Sequence, residues 1–438
     1  MGYSVLHIAD PHFSKELLDK SGEKPSVVGA DQAEAIMNVL GSHPDLPPHY
    51  DAIVFSGDFT VAYAQAGFEA AAAFIEKLAE CTNRHAIVVV PGNHDVVIGA
   101  EPVLFGGFSI PISRIRAEQS FREFLRAIEP FVDSHGNAPC AVRRIQTGEA
   151  FGLVLLGLNS CRVERHDARG WGYVGLDQIA EAVQEAMVIA HEGDVVLAVM
   201  HHNLLPVLDL RWRDLLLPIA QRTFSFNIDA ASSLAALTDL GIAAVLHGHT
   251  HIPSHKGASG YGEPGVNWSK AVLPVVGAGG LKYNDERGGH YIQVVEVFST
   301  SIRITDFEYS YPLSAAKADA AVRLAGHRDV SVSWVWNSER VRRQLVKKAE
   351  DIEAARVDWE WIESWARLRN KGSDDWPITL GEIRRQTEEL LGRPIVPENR
   401  LGELIDEVCK DQARRKENQQ LMLQEVLCRR LREELRDK

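Results

Sequence analysis

Side chains that can bind a metal ion or move a proton follow apolar runs at five places in the sequence. The five groups are Asp10-Pro11-His12, Gly57-Asp58, Gly92-Asn93-His94-Asp95, His201-His202-Asn203 and His247-Gly248-His249-Thr250-His251. In an extended chain, residues two apart face the same way, so Asp10 and His12 can converge on one ion. Because the carboxyl ends of strands form the ligand crevice of open α/β folds, we expect all five groups to meet.

Each group taken singly has an ordinary structural explanation. An Asp after a strand is usually a turn former or a helix cap, and a lone His is usually a hydrogen-bonded structural residue. The ordered set of carboxylates, amide and imidazoles, each at the end of an apolar run, argues against coincidence. Oxygen ligands combined with imidazole suit Mn, Fe or Zn better than Ca, and the lack of Cys donors argues against a purely structural zinc site.

The donors are too many for one catalytic ion and fit two ions that share a carboxylate. The set comprises two carboxylates, one amide and four histidines. Two ions roughly 3.5–4 Å apart can polarise a phosphoryl group and lower the pKa of a bridging water, which supplies hydroxide at neutral pH. The sequence therefore predicts a dinuclear phosphoester hydrolase that attacks phosphorus in line, with Mn favoured and Fe or Zn as alternatives.

Strand and helix patterns alternate over the first 312 residues. Strands are predicted at 5–9, 52–56, 86–90, 153–158, 195–200, 243–246, 272–276, 291–298 and 302–307, and helices at 33–40, 68–79, 115–127, 177–190 and 230–240. Strands separated by helices indicate βαβ units with covered sheets, an α/β architecture. The last strands follow one another directly, which indicates a mixed or second sheet.

The composition changes after Tyr311-Pro312. The first 312 residues carry a net charge of −14, whereas residues 313–438 carry +1 and six of the nine tryptophans. An apolar seam from Ser338 to about Lys371, interrupted at Lys348, predicts a long helix, and a last helix is predicted at 405–436. We therefore predict two units, a catalytic domain at 1–312 and an all-helical extension at 313–438 that serves a protein partner or self-association.

The bulk composition is that of a soluble globular protein, with 45% hydrophobic and 24% charged residues. Five scattered cysteines without a Cys-x-x-Cys pair fit a reducing compartment. We expect a cytoplasmic protein without membrane spans, because the apolar runs are far shorter than the roughly 20 residues that cross a bilayer. A net charge of −13 disfavours indiscriminate binding to nucleic acid.

The donor groups resemble the motifs of the calcineurin-like metallophosphoesterases, over about residues 3 to 310. The matching motifs are D-x-H at Asp10 and His12, G-D at Gly57-Asp58, G-N-H-D at Gly92 to Asp95, a lone H at His201, and G-H-x-H at Gly248 to His251. The resemblance implies a two-sheet β-sandwich flanked by helices. It also implies a first metal held by Asp10, His12 and His251, a second held by Asn93, His201 and His249, and Asp58 as the bridge.

The same resemblance leaves His94 without a metal and implies that it stands beside the substrate, as general acid or charge stabiliser for the leaving group. Asp95 either orients the His94 ring or caps the turn. Asp58, His94 and Asp95 are thus the predicted catalytic residues.

Flanking segments favour one branch of the family. Protein phosphatases continue G-D into an Asp-Arg pair and carry Glu after G-N-H, and both features are absent here. The segments 156–160, 170–178 and 200–203 resemble the class III cyclic-nucleotide phosphodiesterases, which implies a phosphodiester substrate that is a cyclic nucleotide or another small molecule. Two alternatives stay open: a repair-type DNA nuclease with a protein partner on the C-terminal helices, and a scaffold that only binds metal.

Overall fold

The computed structural model describes residues 2–13, 40, 46–47, 49–60, 65–82, 86–96, 123–129, 141–148, 150–162, 171–204, 226–227, 229–249, 273–281, 290–309, 322–332, 335–353 and 355–356. The predicted ligand His251, most of the helices predicted at 33–40 and 115–127, and the last predicted helix at 405–436 lie outside these residues.

The first sheet has six strands. They are β1 (Tyr3–Ile8), β2 (Ala52–Phe55), β3 (Ile87–Val89), β11 (His290–Val297), β12 (Ser301–Tyr309) and β13 (Val322–Ser331), in the order β13-β12-β11-β1-β2-β3. The neighbours β1, β2 and β3 are parallel, whereas β11, β12 and β13 pair antiparallel. Three carboxyl ends of adjacent strands therefore open onto the same edge of the sheet.

The second sheet has five strands. They are β4 (Val142–Ile145), β5 (Leu153–Gly157), β7 (Val195–Met200), β9 (Ala244–His247) and β10 (Val275–Gly277), in the order β10-β9-β7-β5-β4. All neighbours are parallel except β4, which pairs antiparallel with β5. A separate parallel pair joins β6 (Trp171–Gly172) to β8 (Phe226–Asn227).

Besides these strands, residues 40, 123–128, 349–353 and 355–356 are helical, and the other described helices number five. They are α1 (Gln65–Leu78), α2 (Asn93–Val96), α3 (Leu176–Ile189), α4 (Ala230–Asp239) and α5 (Ser338–Lys347), with a short 3-10 turn at Ala79–Cys81. The strands β1, β2, β7 and β9 are buried almost throughout, as expected for strands covered on both faces. Among the described residues, no helix is both long enough and apolar enough to cross a lipid bilayer.

Three apolar layers hold the molecule together. One lies between α1 and the first sheet and includes Phe55 and Phe74. A second fills the space between the two sheets, where Val54 and Leu197 lie, and a third packs α3 and α4 on the second sheet. Two mixed sheets face to face with helices outside confirm the predicted α/β sandwich.

Four strands escaped prediction, namely β4, β6, β8 and β13, and β13 lies beyond the predicted domain boundary. The strand β13 begins at Val322, inside the segment predicted to be helical, and forms the edge of the first sheet beside β12. Trp336 follows it, is 1% exposed and packs in the third apolar layer with Val341 of α5. The sandwich therefore extends past residue 312 to at least Val341, and any separate helical unit starts after that point. The division into two units itself stays a prediction.

The beginning of the predicted long helix agrees with the structure where it is described. Helix α5 starts at Ser338, where the Asn337 side chain accepts a hydrogen bond from the N–H of Arg340, an N-cap. It ends at Lys347, and its C-cap Lys348 is the position at which the apolar seam is interrupted. Residues 349–353 and 355–356 are helical again.

Candidate metal centre

The carboxyl ends of strands from both sheets meet at one place. Asp10 and His12 follow β1, Asp58 follows β2, and Asn93 with His94 begins α2 after β3. From the second sheet, His201 and His202 follow β7, and His249 follows β9. All predicted ligands within the described residues therefore come together. Whether they hold metal stays a prediction, as does the role of His251.

The backbone at this place is strained. The structure gives positive φ to four non-glycine residues among those it describes, and all four are predicted ligands: Asp10 (50°), His12 (48°), Asp58 (57°) and His249 (69°). A left-handed backbone at a residue other than glycine costs of order 1–3 kcal/mol and persists only where the surroundings impose it. Its confinement to the strand ends is typical of a functional site.

Two glycines let the strand ends approach closely. A Cβ at Gly92 would lie 2.1 Å from the backbone nitrogen of Asp58, and a Cβ at Gly248 would lie 2.8 Å from Oδ2 of Asp10. Neither position has room for a side chain. Gly92 therefore lets two strand ends of the first sheet meet, and Gly248 lets the second sheet approach Asp10 of the first.

The second sheet supplies what we call the imidazole side: His201, His202 and His249. Their ligand nitrogens lie within 4.8 Å of one another. The Nε2 atom of His201 is 2.9 Å from Nδ1 of His249. Asn93 reaches over from the first sheet, with its Oδ1 2.9 Å from Nε2 of His201 and 3.0 Å from Nδ1 of His249. Nitrogen donors thus dominate this half of the site.

The first sheet supplies what we call the carboxylate side: Asp10, His12 and Asp58. The Oδ2 atom of Asp58 lies 3.6 Å from Nε2 of His12 and 3.5 Å from Nε2 of His201. Asp58 therefore faces both sides at once, the position that a bridging carboxylate needs. Asp10 is tied to the imidazole side, because its Oδ2 accepts a hydrogen bond of 2.9 Å from the backbone N–H of His249.

The donor chemistry fits a cation. Nδ1 of His201 lies 2.8 Å from the carbonyl oxygen of Ser56, so it carries the proton and Nε2 presents a lone pair. That lone pair faces the Asn93 oxygen, another acceptor. Likewise Nδ1 of His12 lies 3.3 Å from the carbonyl of Thr60, which leaves Nε2 of His12 facing the Asp58 carboxylate. Acceptors that face each other at these distances need a positive charge or a donated proton between them, and a metal ion is one group that supplies it.

The electrostatics keep His201 and His202 neutral, the form that metal ligation requires. Burial lowers the pKa of His201 well below its usual value, and the neighbouring His249 and His202 lower it further. Burial also lowers the pKa of His202 to about 3, against an opposing effect of Asp10. Neutral imidazole is the form that binds a metal, so no proton has to be displaced from these rings near neutral pH.

His94 lies on the carboxylate side, next to the predicted ligands. Its ring meets the His12 ring edge to face at a centroid distance of 5.0 Å. A ring nitrogen of His94 also lies within 4.8 Å of a ring nitrogen of His12 and a carboxylate oxygen of Asp58. Its backbone N–H donates to Oδ1 of Asp58 at 2.8 Å. His94 is half-buried, whereas Asp58 is buried, so its ring borders the solvent side of the site.

Asp95 braces the turns around the site. Its Oδ1 accepts a hydrogen bond from the N–H of Thr60 at 3.0 Å, and its Oδ2 accepts one from the N–H of Gly92 at 2.8 Å. Burial raises the pKa of Asp95 to about 7, while these N–H groups lower it. Both oxygens contact backbone, which favours the capping alternative over an orienting contact with the His94 ring.

Two serines behind the ligands, Ser160 and Ser56, contact the histidines of the imidazole side and were not predicted as site residues. The hydroxyl of Ser160 lies 3.0 Å from Nδ1 of His202 and accepts the N–H groups of His201 and His202 at 3.2 and 2.9 Å. The Ser56 carbonyl sets the tautomer of His201. Ser160 lies in a flanking segment that the sequence singled out, but nothing in the pattern links Ser56 to a histidine 145 positions away.

A two-sheet sandwich with aspartate and histidine clusters at its strand ends is an arrangement that could hold metal ions. The model of the calcineurin-like phosphoesterase family matches residues 3–253, more than half of the chain. The chain therefore belongs to this family, whose members are metal-dependent phosphoester hydrolases that typically bind two divalent metals. No curated protein was found to match it.

Solved structures of similar shape include a predicted phosphoesterase from Streptococcus pneumoniae TIGR4 and a Vps29 mutant from Entamoeba histolytica. Both are 11% identical to this chain with a TM-score of 0.28; they cover 76% and 74% of it, respectively, and 98% of their own length is covered. The structure of PhoD is 9% identical with a TM-score of 0.40, covering 79% of this chain and 78% of PhoD. At such TM-scores the likeness adds nothing to the family assignment.

Proposed function

We propose that this protein is a phosphodiesterase that hydrolyses a small-molecule diester, such as a cyclic nucleotide, at a dinuclear centre. The observation that carries the proposal is the position of Asp58, whose Oδ2 lies between Nε2 of His12 and Nε2 of His201. Asp10, His12 and His251 would hold one ion, and Asn93, His201 and His249 the other, with Asp58 shared between the two. When bound, two ions would polarise the phosphoryl group and supply hydroxide at neutral pH.

The side chains of this chain would orient the substrate and handle its proton. His94 borders the solvent side of the cluster, where a leaving oxygen would lie. In its protonated form its ring would donate a proton to that oxygen as the P–O bond breaks. Asp95 would hold the turn that carries His94, through the N–H groups of Gly92 and Thr60.

The segments that resemble class III phosphodiesterases pack as one unit behind the imidazole side. The N–H of Asn159 donates to Oε1 of Gln178 at 2.7 Å, and Nε2 of Gln178 donates back to the Asn159 carbonyl at 3.0 Å. Ser160, the next residue, contacts His201 and His202. Their joint contact with one half of the site supports the small-molecule branch.

The charge of the catalytic part supports the same branch over a nuclease. Residues 1–312 carry a net charge of −14, which repels the phosphate backbone that supplies most of the affinity for nucleic acid. A nuclease would need a local basic groove or a basic partner to overcome this charge.

The decisive experiment compares substrates with the full chain in Mn buffer. We expect turnover of cyclic mononucleotides and of bis-p-nitrophenyl phosphate, and little cutting of linear or duplex DNA. Asp58→Ala is the inactive control. Asp51→Ala is its matched control, because Asp51 precedes the same strand β2 at the end away from the site, and its side chain accepts the N–H of Ser4.

The result that contradicts the proposal is DNA cleavage without diester turnover. A chain that ends at residue 356 would then show whether cutting depends on residues 357–438. A chain that ends at 312 is unsuitable, because it lacks the edge strand β13 and the buried Trp336. Absence of all hydrolysis by a metal-loaded full chain would favour the scaffold alternative.

A further inference from the structure

A line of buried polar side chains crosses the first sheet behind the metal centre. It runs from Asp306 on β12 through Gln293 on β11 and His7 on β1 to Ser56 at the end of β2, and we call these four residues the buried brace. Three of them are 0% exposed and Asp306 is 3% exposed. The brace thus joins four adjacent strand positions without contact with solvent.

The hydrogen bonds of the brace can run in one direction only. Nε2 of Gln293 faces two acceptors, Oδ1 of Asp306 at 2.9 Å and the Gly277 carbonyl at 3.2 Å, so the amide donates there. Its Oε1 must then accept from Nδ1 of His7 at 2.8 Å. Nε2 of His7 is left as an acceptor for the Ser56 hydroxyl at 3.0 Å.

Ser56, the last residue of the brace, lies next to His201 and to Gly248, which precedes His249. The carbonyl oxygen of Ser56 accepts the Nδ1–H of His201 at 2.8 Å. Gly248, directly before His249, packs so closely that a Cβ there would lie 3.0 Å from both the oxygen and the hydroxyl of Ser56. The orientation of Ser56 therefore bears on the direction of the His201 lone pair and on the approach of His249.

The polar side chains of the brace are buried between two apolar layers, where apolar side chains are the usual occupants. The brace's neighbours along β11, Val294 and Val295, pack in the apolar layers on the two faces of the sheet. Burying polar groups between apolar layers is costly unless every group is hydrogen-bonded, and an apolar replacement of similar volume is often as stable or more so. Stability alone does not account for the brace, whereas its contact with a predicted metal ligand does.

We infer that the buried brace positions Ser56 so that its carbonyl fixes His201 in the tautomer that presents Nε2 to a metal ion. Gln293, His7 and Ser56 are thus positioning residues for the site held by Asn93, His201 and His249. This inference rests on the proposed function, since it assigns these residues to the metal centre of that activity. Outer hydrogen bonds of this kind set the orientation and basicity of a histidine ligand.

The test measures metal binding rather than turnover. Gln293→Met keeps the side-chain volume but lacks the amide oxygen that accepts the hydrogen bond from His7. Ser56→Ala removes only the hydroxyl that His7 contacts. In the full chain we expect each variant to bind Mn(II) about tenfold more weakly at one of two sites by calorimetric titration. The visible absorption bands of the Co(II)-loaded protein should also shift, because one imidazole ligand changes its orientation.

Val295→Ala is the matched control, because it removes buried volume from the same strand without touching the brace. It should lower the Tm and leave Mn(II) affinity and the Co(II) spectrum unchanged. Wild-type affinity and spectrum in both brace variants would overturn the inference. If Gln293→Met does not fold, Ser56→Ala decides.

The proposed function and the role of the brace can be refuted by different results. A wild-type chain that binds two Mn(II) ions but hydrolyses no diester would refute the proposed function, and the binding data would still decide the role of the brace. A wild-type chain that binds no Mn(II) would refute both.

Discussion

The two sheets contribute unlike groups to one site. The first sheet brings Asp10, His12 and Asp58, all on left-handed backbone, whereas the second brings buried imidazoles of lowered pKa at His201 and His202. Carboxylate oxygens favour harder ions and imidazoles favour Zn or Fe. The difference teaches that the site is divided, with Asp58 as the contact between its halves, and that each half should respond separately to mutation.

Replacing Asp58, which lies between the two halves of the site, should have the largest effect on turnover. We expect Asp58→Ala to lower diester turnover at least about 1000-fold, because both ions lose a ligand and the shared carboxylate no longer holds them together. Steady-state kinetics with metal analysis of the purified protein checks this. Near-wild-type turnover would show that Asp58 does not bridge, while Asp51→Ala should retain full activity.

Removing one ligand from each half should separate the two ions. We expect His12→Ala and His201→Ala each to lower turnover about 100-fold and to retain about one ion per chain. When both metals are offered together, the His12→Ala protein should retain Zn in preference to Mn, because its intact half is rich in nitrogen. Elemental analysis measures both quantities. Equal loss of both ions in each variant would mean that the halves are not separable.

The role of His94 on the carboxylate side should depend on the leaving group. We expect His94→Ala to lower turnover of an alkyl diester about 100-fold and that of a nitrophenyl diester about tenfold, since the poorer leaving group needs the proton more. The ratio of kcat values for the two substrates is the measurement. An equal loss for both would exclude His94 as the general acid, and metal content should stay as in the wild type.

The smallest expected effect concerns acid stability on the first sheet. Burial lowers the pKa of His7 to about 4, with a further lowering by His247 and an opposing effect of the Gln293 hydrogen bond. Because the unfolded chain takes up this proton near pH 6.5, the stability that neutral His7 provides above that pH is lost as the pH falls toward 4.

His7→Gln should therefore show a shallower loss of stability between pH 6.5 and 4, by roughly 1 kcal/mol per pH unit. Urea unfolding of the full chain at several pH values checks this. Parallel curves for both proteins would mean that His7 titrates normally in the folded state.

Much of this site could be predicted from the sequence because its signal is local. A buried parallel strand is a continuous apolar run, so Val195–Met200 was predicted at its observed limits, and the residues after such a run must lie at the sheet edge. Both halves of the donor set follow from this rule. The donor types at those edges then indicated two ions and phosphoester chemistry.

The missed strands lack that local signal. Val142–Ile145 carries two arginines, of which Arg144 pairs with Asp194 at 2.7 Å, a partner that only the fold reveals. Val322–Ser331 lies at a sheet edge, contains Gly326 and charged residues, and has an irregular register near Asp306. Edge strands are polar and irregular, so no apolar pattern in the sequence marks them.

The contacts behind the ligands could not be predicted for a different reason. The brace joins His7 to Gln293 across 286 positions, and only the order of strands in the sheet brings them together. Likewise the left-handed backbone at His12 and His249 is unfavourable for histidine, so no propensity scale would predict it.

That left-handed backbone has a consequence for the amount of protein in a cell. At Asp10, His12, Asp58 and His249 the chain is held in conformations that each cost about 1–3 kcal/mol, and bound ions would offset this strain by binding only the folded form. A chain that loses its ions opens more often and is degraded faster. We therefore expect the abundance of this protein to fall when a cell is starved of divalent metal.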